Sequence, residues 1–376
     1  MYSRLLAAPK EESIFLFGPR GTGKSSWVQS TFPKANYINL LEDATFTELL
    51  ASPGRLETRI ANSKEYTILD EVQKVPALLD EVHRLIESKG QKFVLTGSSA
   101  RKLRRGAGNL LAGRALTRKL YPLTTLELGQ DFNLHRALSF GTLPRSIKSN
   151  KPKDFLKSYI STYLKEEIQA EGLTRNLAGF ARFLEAASFS QGQVLNSSGV
   201  GQDAHLNQKV TESYFEILED LLLARRIPVF TRRAKRKIVA HPKFYFFDVG
   251  VFNTLRPRGP LDSDAEIQGA SLESLVIQDF IAINDYKEWE YESHYWRTHS
   301  KLEVDFVFYG PRGLKAVEVT RSAKLRDDDF RALEAFHEDY PEAKCYLVWG
   351  GSKAISHKFV KVIPAMEWFG NYSDWF

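Results

Sequence analysis

Gly18-Pro19-Arg20-Gly21-Thr22-Gly23-Lys24-Ser25 carries the densest chemistry in this chain. Its spacing is the G-x-x-x-x-G-K-S of a phosphate-binding loop. Glycines at these places let backbone N–H groups turn inward toward phosphate oxygens. A helix opening at Ser26 presents its positive end to the same oxygens. Lys24 can reach the β- and γ-phosphates, and Ser25 can hold Mg²⁺. ATP with Mg²⁺ is therefore the expected occupant of Gly18 to Ser26.

A second acidic signal follows about 45 residues later, in TILDEVQKVP. Asp70 at a strand end can hold Mg²⁺ through a water. Glu71 beside it can polarise the attacking water as a general base. In LTGSS, Thr96 or Ser98 can contact the γ-phosphate or orient that water; equally, the segment can be a turn. Arg114 precedes an expected strand at the sheet's edge. There it can serve a neighbouring subunit's nucleotide as an arginine finger, which is the reading favoured, or sit in a surface salt bridge. Arg101, Arg104 and Arg105 are further candidates for the finger, and Arg145 in GTLPR is a candidate lid contact.

These groups need a scaffold. Short apolar runs at Ile14–Phe17, Tyr37–Leu40, Tyr66–Leu69, Phe93–Thr96 and Leu116–Leu120 alternate with helical stretches. That alternation predicts a parallel sheet covered by helices on both faces. Ligands of such sheets sit at the carboxyl ends of the strands, where the loop and Asp70 both fall.

Length and composition bound the rest. The 376 residues suffice for two or three domains, and 43% hydrophobic with 26% charged residues is the balance of a soluble globular protein. Apolar runs fall short of the ~18 residues of a membrane span, and MYSRLLAAPKEE lacks a signal-peptide core. No membrane partner is expected. The single cysteine, Cys345, excludes an intrachain disulfide and a cysteine-based zinc cluster, and fits a reducing cytoplasm. The net charge of +6 permits a nucleic-acid partner without requiring one.

FGPRGTGKSS, TILDEVQ, VLTGSS and LLAGRALTRKLYPLTTLEL together resemble AAA-type ATPases. With GTLPRSI, ESYFEILEDLLLARRIP, KFYFFDVGVFN and GASLESLVIQDFI, the resemblance narrows to bacterial and archaeal ATP-binding proteins with a C-terminal domain of unknown function. It spans nearly the whole chain and implies ATP binding and hydrolysis. The fold expected is α/β throughout. Residues 1–135 form a P-loop AAA-type domain, 136–240 a helical and winged-helix-like middle, and 241–376 a restriction-endonuclease-like α/β domain.

In the middle, PKDFLKSYISTYLKEEIQAE (152–171) spaces its apolar residues as an amphipathic helix expected to lie on the ATPase core. Three shorter helices follow, at Phe180–Phe189, Ser197–Leu206 and Gln208–Leu223. Two basic strands come next, Arg225–Phe230 and Lys237–Ala240. Between them, Arg232, Arg233, Lys235, Arg236 and Lys237 put five positive charges in six residues. Three helices and a basic hairpin look like a winged helix, whose hairpin would touch DNA phosphate. A protein contact with a solvated charge run is the other reading.

At the end, Glu273 on a helix and Asp305 and Glu318 on a hairpin can converge on a second Mg²⁺. This resembles the restriction-endonuclease-like fold, where an aspartate and a glutamate-x-lysine bind metal and position a water. Thr320 stands where that lysine is expected. Lys315 should face the opposite side of the strand, and Lys324 lies beyond it. Binding without cutting is therefore expected. The reading in sum is a Mg²⁺-dependent ATPase that forms a homo-oligomer, possible as a ring, and acts on DNA. The alternatives are an ATP-gated switch gripping a protein partner and an ATP-gated nuclease.

Overall fold

The computed structural model describes residues 2–60, 65–98, 111, 113–164, 176–232, 241–260 and 262–376. They divide into two compact units: Arg4–Pro122 with Asp220–Leu223, and Met1–Ser3 with Leu123–Glu219 and Ala224–Phe376.

The first unit is built on β1 (Ser13–Phe17), β2 (Asn36–Asn39), β3 (Thr67–Asp70), β4 (Phe93–Gly97) and β5 (Ala115–Lys119). They form one sheet in the order β2-β3-β4-β1-β5, with every neighbouring pair parallel. All five fall on the apolar runs read from the sequence. β3 and β4 are buried at every position, so they read as unbroken apolar segments, whereas the edge strand β5 exposes Leu116, Thr117 and Lys119. The crossover helix Leu78–Lys89 buries Leu78, Leu79, Val82 and Leu85 and ends at Gly90, whose φ of 63° suits a left-handed cap. Phe17, Ile38, Leu69, Val82 and Leu95 share one core. Order and direction bring the ends of β1, β3 and β4 to one edge, with β4 between the other two.

The second unit begins with short helices. Pro144–Lys148 and Pro152–Ser158 each start on proline, whose missing N–H costs nothing in a first turn. The latter continues into wider turns over Tyr159–Leu164. It belongs to this unit, and Tyr159 lies 6.4 Å from the ring of Phe247. Periodicity gives a helix its apolar face without saying which neighbour covers it.

Helices Leu177–Ser188, Ser197–Asp203 and Gln208–Asp220 follow, the first two opened by Asn176 and Asn196, which accept from the N–H of Gly179 and Gly199. β6 (Ala224–Ile227) then pairs antiparallel with β7 (Lys243–Phe246). The strand expected at Lys237–Ala240 lies outside the described residues, and the partner of β6 is instead the fully buried K-F-Y-F.

The C-terminal sheet has the order β12-β13-β11-β10-β9-β8. Its strands are β8 (Glu292–Arg297), β9 (Glu303–Gly310), β10 (Gly313–Thr320), β11 (Lys344–Trp349), β12 (Ile355–His357) and β13 (Val360–Pro364). β10, β11 and β13 run parallel, and β8, β9 and β10 form an antiparallel meander. The 23-residue helix Asp264–Tyr286 carries Glu273 and Asp279. Two buried aspartates tie separate segments of this unit together. Asp248 accepts from Thr142 N at 2.8 Å and caps its own helix through Gly250 N and Val251 N. Asp279 accepts from Thr125 N at 2.8 Å and Thr125 Oγ1 at 2.6 Å. Among the described residues no helix is long and apolar enough to cross a membrane.

Candidate functional site

The glycine-rich loop connects β1 to the helix Lys24–Thr31. Gly18 must be glycine, because a Cβ there would lie 2.3 Å from the Leu120 carbonyl oxygen. Gly21 and Gly23 have φ of 84° and 96°, the left-handed region that turns successive N–H groups to one side. Thr22 closes the turn by donating its hydroxyl to Pro19 O at 2.9 Å. Arg4 clamps it from outside, donating to Thr22 O at 2.8 Å and Tyr121 O at 2.7 Å.

Lys24 is 6% exposed. Its ammonium donates to Gly18 O at 2.7 Å and Pro19 O at 3.3 Å. Two carbonyl dipoles hold this buried cation inside the cradle. Arg20 and Ser25 are half-buried, and Ser26 is exposed.

Asp70, 2% exposed, ends β3. Thr96 at the end of β4 donates its hydroxyl to Asp70 Oδ1 and accepts from Glu71 N at 3.0 Å. The strand between β1 and β3 thus supplies the side chain that fixes both acidic residues. Glu71 has φ 63° and ψ 46°, a left-handed conformation that costs a non-glycine residue about 1–2 kcal/mol. Strain of this kind concentrates where geometry serves function. Gln73 holds the Glu71 carboxylate and also donates to Ser98 Oγ at 3.2 Å. Its buried Oε1 has no hydrogen-bond partner among the described residues. Of the two polar residues singled out in LTGSS, Thr96 touches the acidic pair directly and Ser98 acts through Gln73.

Sequence reading missed Tyr37. Its hydroxyl donates to Asp70 Oδ2, and the side chains of Ser25 and Gln29 approach the same hydroxyl. Burial, then the bond to Asp70, hold this phenol above the ordinary tyrosine range, so it stays protonated as a donor. Strand register explains its place. Asn39 pairs with Asp70 across β2 and β3, and Tyr37, two residues back, shares Asn39's face. The usable signal was a hydroxyl-bearing aromatic on the strand next to Asp70.

The residues present suit a magnesium nucleotide. The cradle tolerates no Cβ at Gly18, the buried Lys24 ammonium donates to two loop carbonyls, and Asp70 accepts from a Tyr37 hydroxyl that the Ser25 side chain approaches.

Other expected site residues fare differently. Arg114 Nε forms an ion pair with Glu87. Arg145 stacks its guanidinium 5.6 Å from the Phe155 ring. Arg101, Arg104, Arg105, Arg233, Lys235, Arg236 and Lys237 lie outside the described residues. Arg232 pairs with Glu292 at 2.9 Å and lies 4.4 Å over the Tyr309 ring.

Glu273, Asp305 and Glu318 do converge in the second unit, around a lysine the sequence reading passed over. Lys243 of β7 is 1% exposed. Its ammonium lies 2.6 Å from Glu303, 3.1 Å from Glu273 and 3.1 Å from Asp305. Tyr245 donates to Glu273, and Glu318 Oε2 accepts from Asp305 N at 3.3 Å. Burial, then Asp305, push Glu273 up to about 7. The same two causes raise Glu318 well above the carboxylate range. Burial opposes the Lys243 ammonium, but Glu273 and its neighbours outweigh it and raise that lysine.

Among the described residues no group of three or more His, Cys, Asp or Glu side chains is arranged to hold a metal ion. The Lys243 ammonium brings a positive charge to this group of carboxylates. A single charged residue opening an otherwise apolar strand was the available clue. Lys315 stays apart from this cluster, lowered to about 8 by burial and by Lys344 and Lys361.

Comparison with known families agrees with this geometry. Residues 10–129 match the AAA domain model, 131–262 a domain of unknown function (DUF8612), and 268–368 a further domain of unknown function (DUF4143). No curated protein matches the sequence. Among solved structures, the chain is similar to the ORC2 protein of Aeropyrum pernix in ADPNP–ADP complexes, at 13% identity and a TM-score of 0.38, over 75% of this chain and 89% of that one. It is also similar to the ORC1 protein of Aeropyrum pernix in complex with DNA, at 14% identity and a TM-score of 0.27, over 66% and 87%. Likenesses this distant carry no argument about function, which rests on the loop, the acidic pair and the domain match. By these the chain carries an AAA domain over residues 10–129 and a C-terminal domain of unknown function over residues 268–368.

Proposed function

We propose that this protein is a Mg²⁺-dependent ATPase, hydrolysing ATP to ADP and phosphate, that oligomerises and acts on DNA through its second unit. One observation carries the hydrolytic part: the Tyr37 hydroxyl donates to Asp70 of β3 and is approached by the side chain of Ser25 of the phosphate loop, so the two groups suited to share Mg²⁺ lie around one side chain. In this reading loop N–H groups hold the phosphates, and Lys24 exchanges the Gly18 and Pro19 carbonyls for β- and γ-phosphate oxygens. Ser25 and Asp70 hold Mg²⁺, which when bound neutralises charge on those oxygens. Glu71 accepts the proton of the attacking water, and Thr96 keeps Glu71 and Asp70 in register. Arg114 serves a neighbouring subunit after leaving Glu87.

The DNA part draws on the three helices and the β6–β7 hairpin, the element set of a winged helix, with the basic run Arg232–Lys237 joining the two strands. Arg232's engagement with Glu292 and Tyr309 favours the second reading, an ATP-gated protein-interaction switch. The carboxylate cluster is read as a buried ion network without cleavage activity. The test is the ATPase rate against protein concentration, with and without DNA. A rate that climbs with concentration and with DNA supports the proposal. A flat rate together with no DNA mobility shift at low salt refutes the oligomer and DNA parts. Charge reversal at Arg233, Lys235, Arg236 and Lys237 abolishes DNA binding under the first reading and leaves turnover intact under the second.

A further inference from the structure

We infer that Tyr37 is a positioning residue whose hydroxyl holds the cation's place between Ser25 and Asp70 and must withdraw when a divalent cation binds with nucleotide. The inference rests on the nucleotide site proposed above and assigns it a built-in gate.

The argument is one of hydrogen-bond competition. Asp70 has two carboxylate oxygens. Thr96 takes Oδ1 and Tyr37 takes Oδ2. A cation shared by Ser25 and Asp70, directly or through water, needs an acceptor lone pair on Oδ2 and free access to the Ser25 hydroxyl. The phenol occupies the approach to Oδ2, and the Ser25 side chain lies near the same hydroxyl. Thr96 does not conflict in this way, because its contact lies on the other oxygen and it also receives Glu71 N. Tyr37 is half-buried on β2, the four-residue edge strand of the sheet, so its ring has an exit toward solvent. The buried carboxylate thus keeps a neutral donor while no cation is present, which avoids an unpaired buried charge. Cation affinity is lowered by the fraction of molecules whose Tyr37 has already withdrawn.

Tyr37→Phe keeps the ring and removes only the hydroxyl. The probe is Mn²⁺ with ADP, read by electron paramagnetic resonance of the bound ion. The affinity for a fluorescent ADP is measured in parallel in EDTA. The expected result is Mn²⁺ binding about tenfold tighter in Tyr37→Phe, as loss of a competing bond to a charged group implies. The metal-free ADP affinity stays within about twofold, a split that a general loosening of the site would not produce. In an Asp70→Asn background the Tyr37→Phe effect vanishes. Equal or weaker Mn²⁺ binding in Tyr37→Phe, with ADP binding intact, overturns the gate and leaves the nucleotide site standing. A wild-type protein that binds no ADP overturns both.

Discussion

Replacing Lys243 with methionine is the sharpest perturbation of the second unit. Methionine has nearly the length of lysine and no charge. The substitution removes the ammonium that sits within 3.1 Å of Glu273, Glu303 and Asp305. Breaking a buried pair by deleting one partner costs about 3–5 kcal/mol. The protein itself sets a scale. Even with Lys243 present, Glu273 is raised from 4.5 to about 7, equivalent to about 3 kcal/mol against its ionised form. Without the lysine, Glu273 and Glu318 rise further. A carboxylate raised in the fold binds protons more tightly there than in the unfolded chain. Its penalty is absent below about pH 4.5 and grows as pH rises through the folded value. The Lys243→Met loss is therefore larger at pH 8 than at pH 5. Urea unfolding of the full chain, followed by tryptophan fluorescence at both pH values, measures it. ADP binding to the first unit reports whether that unit remains intact. A loss under about 1 kcal/mol at pH 8, or one independent of pH, refutes the ion-network account.

Thr96→Ala removes the hydroxyl shared by Asp70 and Glu71 N and should lower ATP turnover about 10- to 100-fold. Nucleotide affinity stays within about threefold, as steady-state kinetics and equilibrium binding will separate. Asp279, raised by burial from 3.8 to about 7, makes stability fall as pH rises from about 4 to 7. Asp279→Asn keeps a bond from Thr125 and should flatten part of that slope in thermal melts across the range. Incubating supercoiled, linear and branched DNA with Mg²⁺ or Mn²⁺ should yield no cleavage products, since the carboxylates close around Lys243.

What could be read from the residues was what local chemistry dictates. The five strands of the first unit announce themselves as apolar runs because β3 and β4 are covered on both faces. The phosphate loop and Asp70-Glu71 were legible because their chemistry demands fixed types at fixed spacing. Tyr37 and Lys243 were not. Each acts through a neighbour brought close only by sheet register or topology: Tyr37 through the β2–β3 pairing, Lys243 through a strand 30 residues before Glu273 and 62 before Asp305. The β6 partner was missed for a related reason. The basic run drew the hairpin reading toward itself, while the strand that pairs is the buried aromatic segment beyond it. The helix beginning at Pro152 displayed an apolar face and no address for it.

The most direct measurement is phosphate release from ATP by the wild-type protein and by Lys24→Ala, under identical Mg²⁺ and protein concentrations. The account predicts steady turnover by the wild type and none above background by the variant, with the fold of both intact by circular dichroism. Equal rates from the two proteins would contradict it.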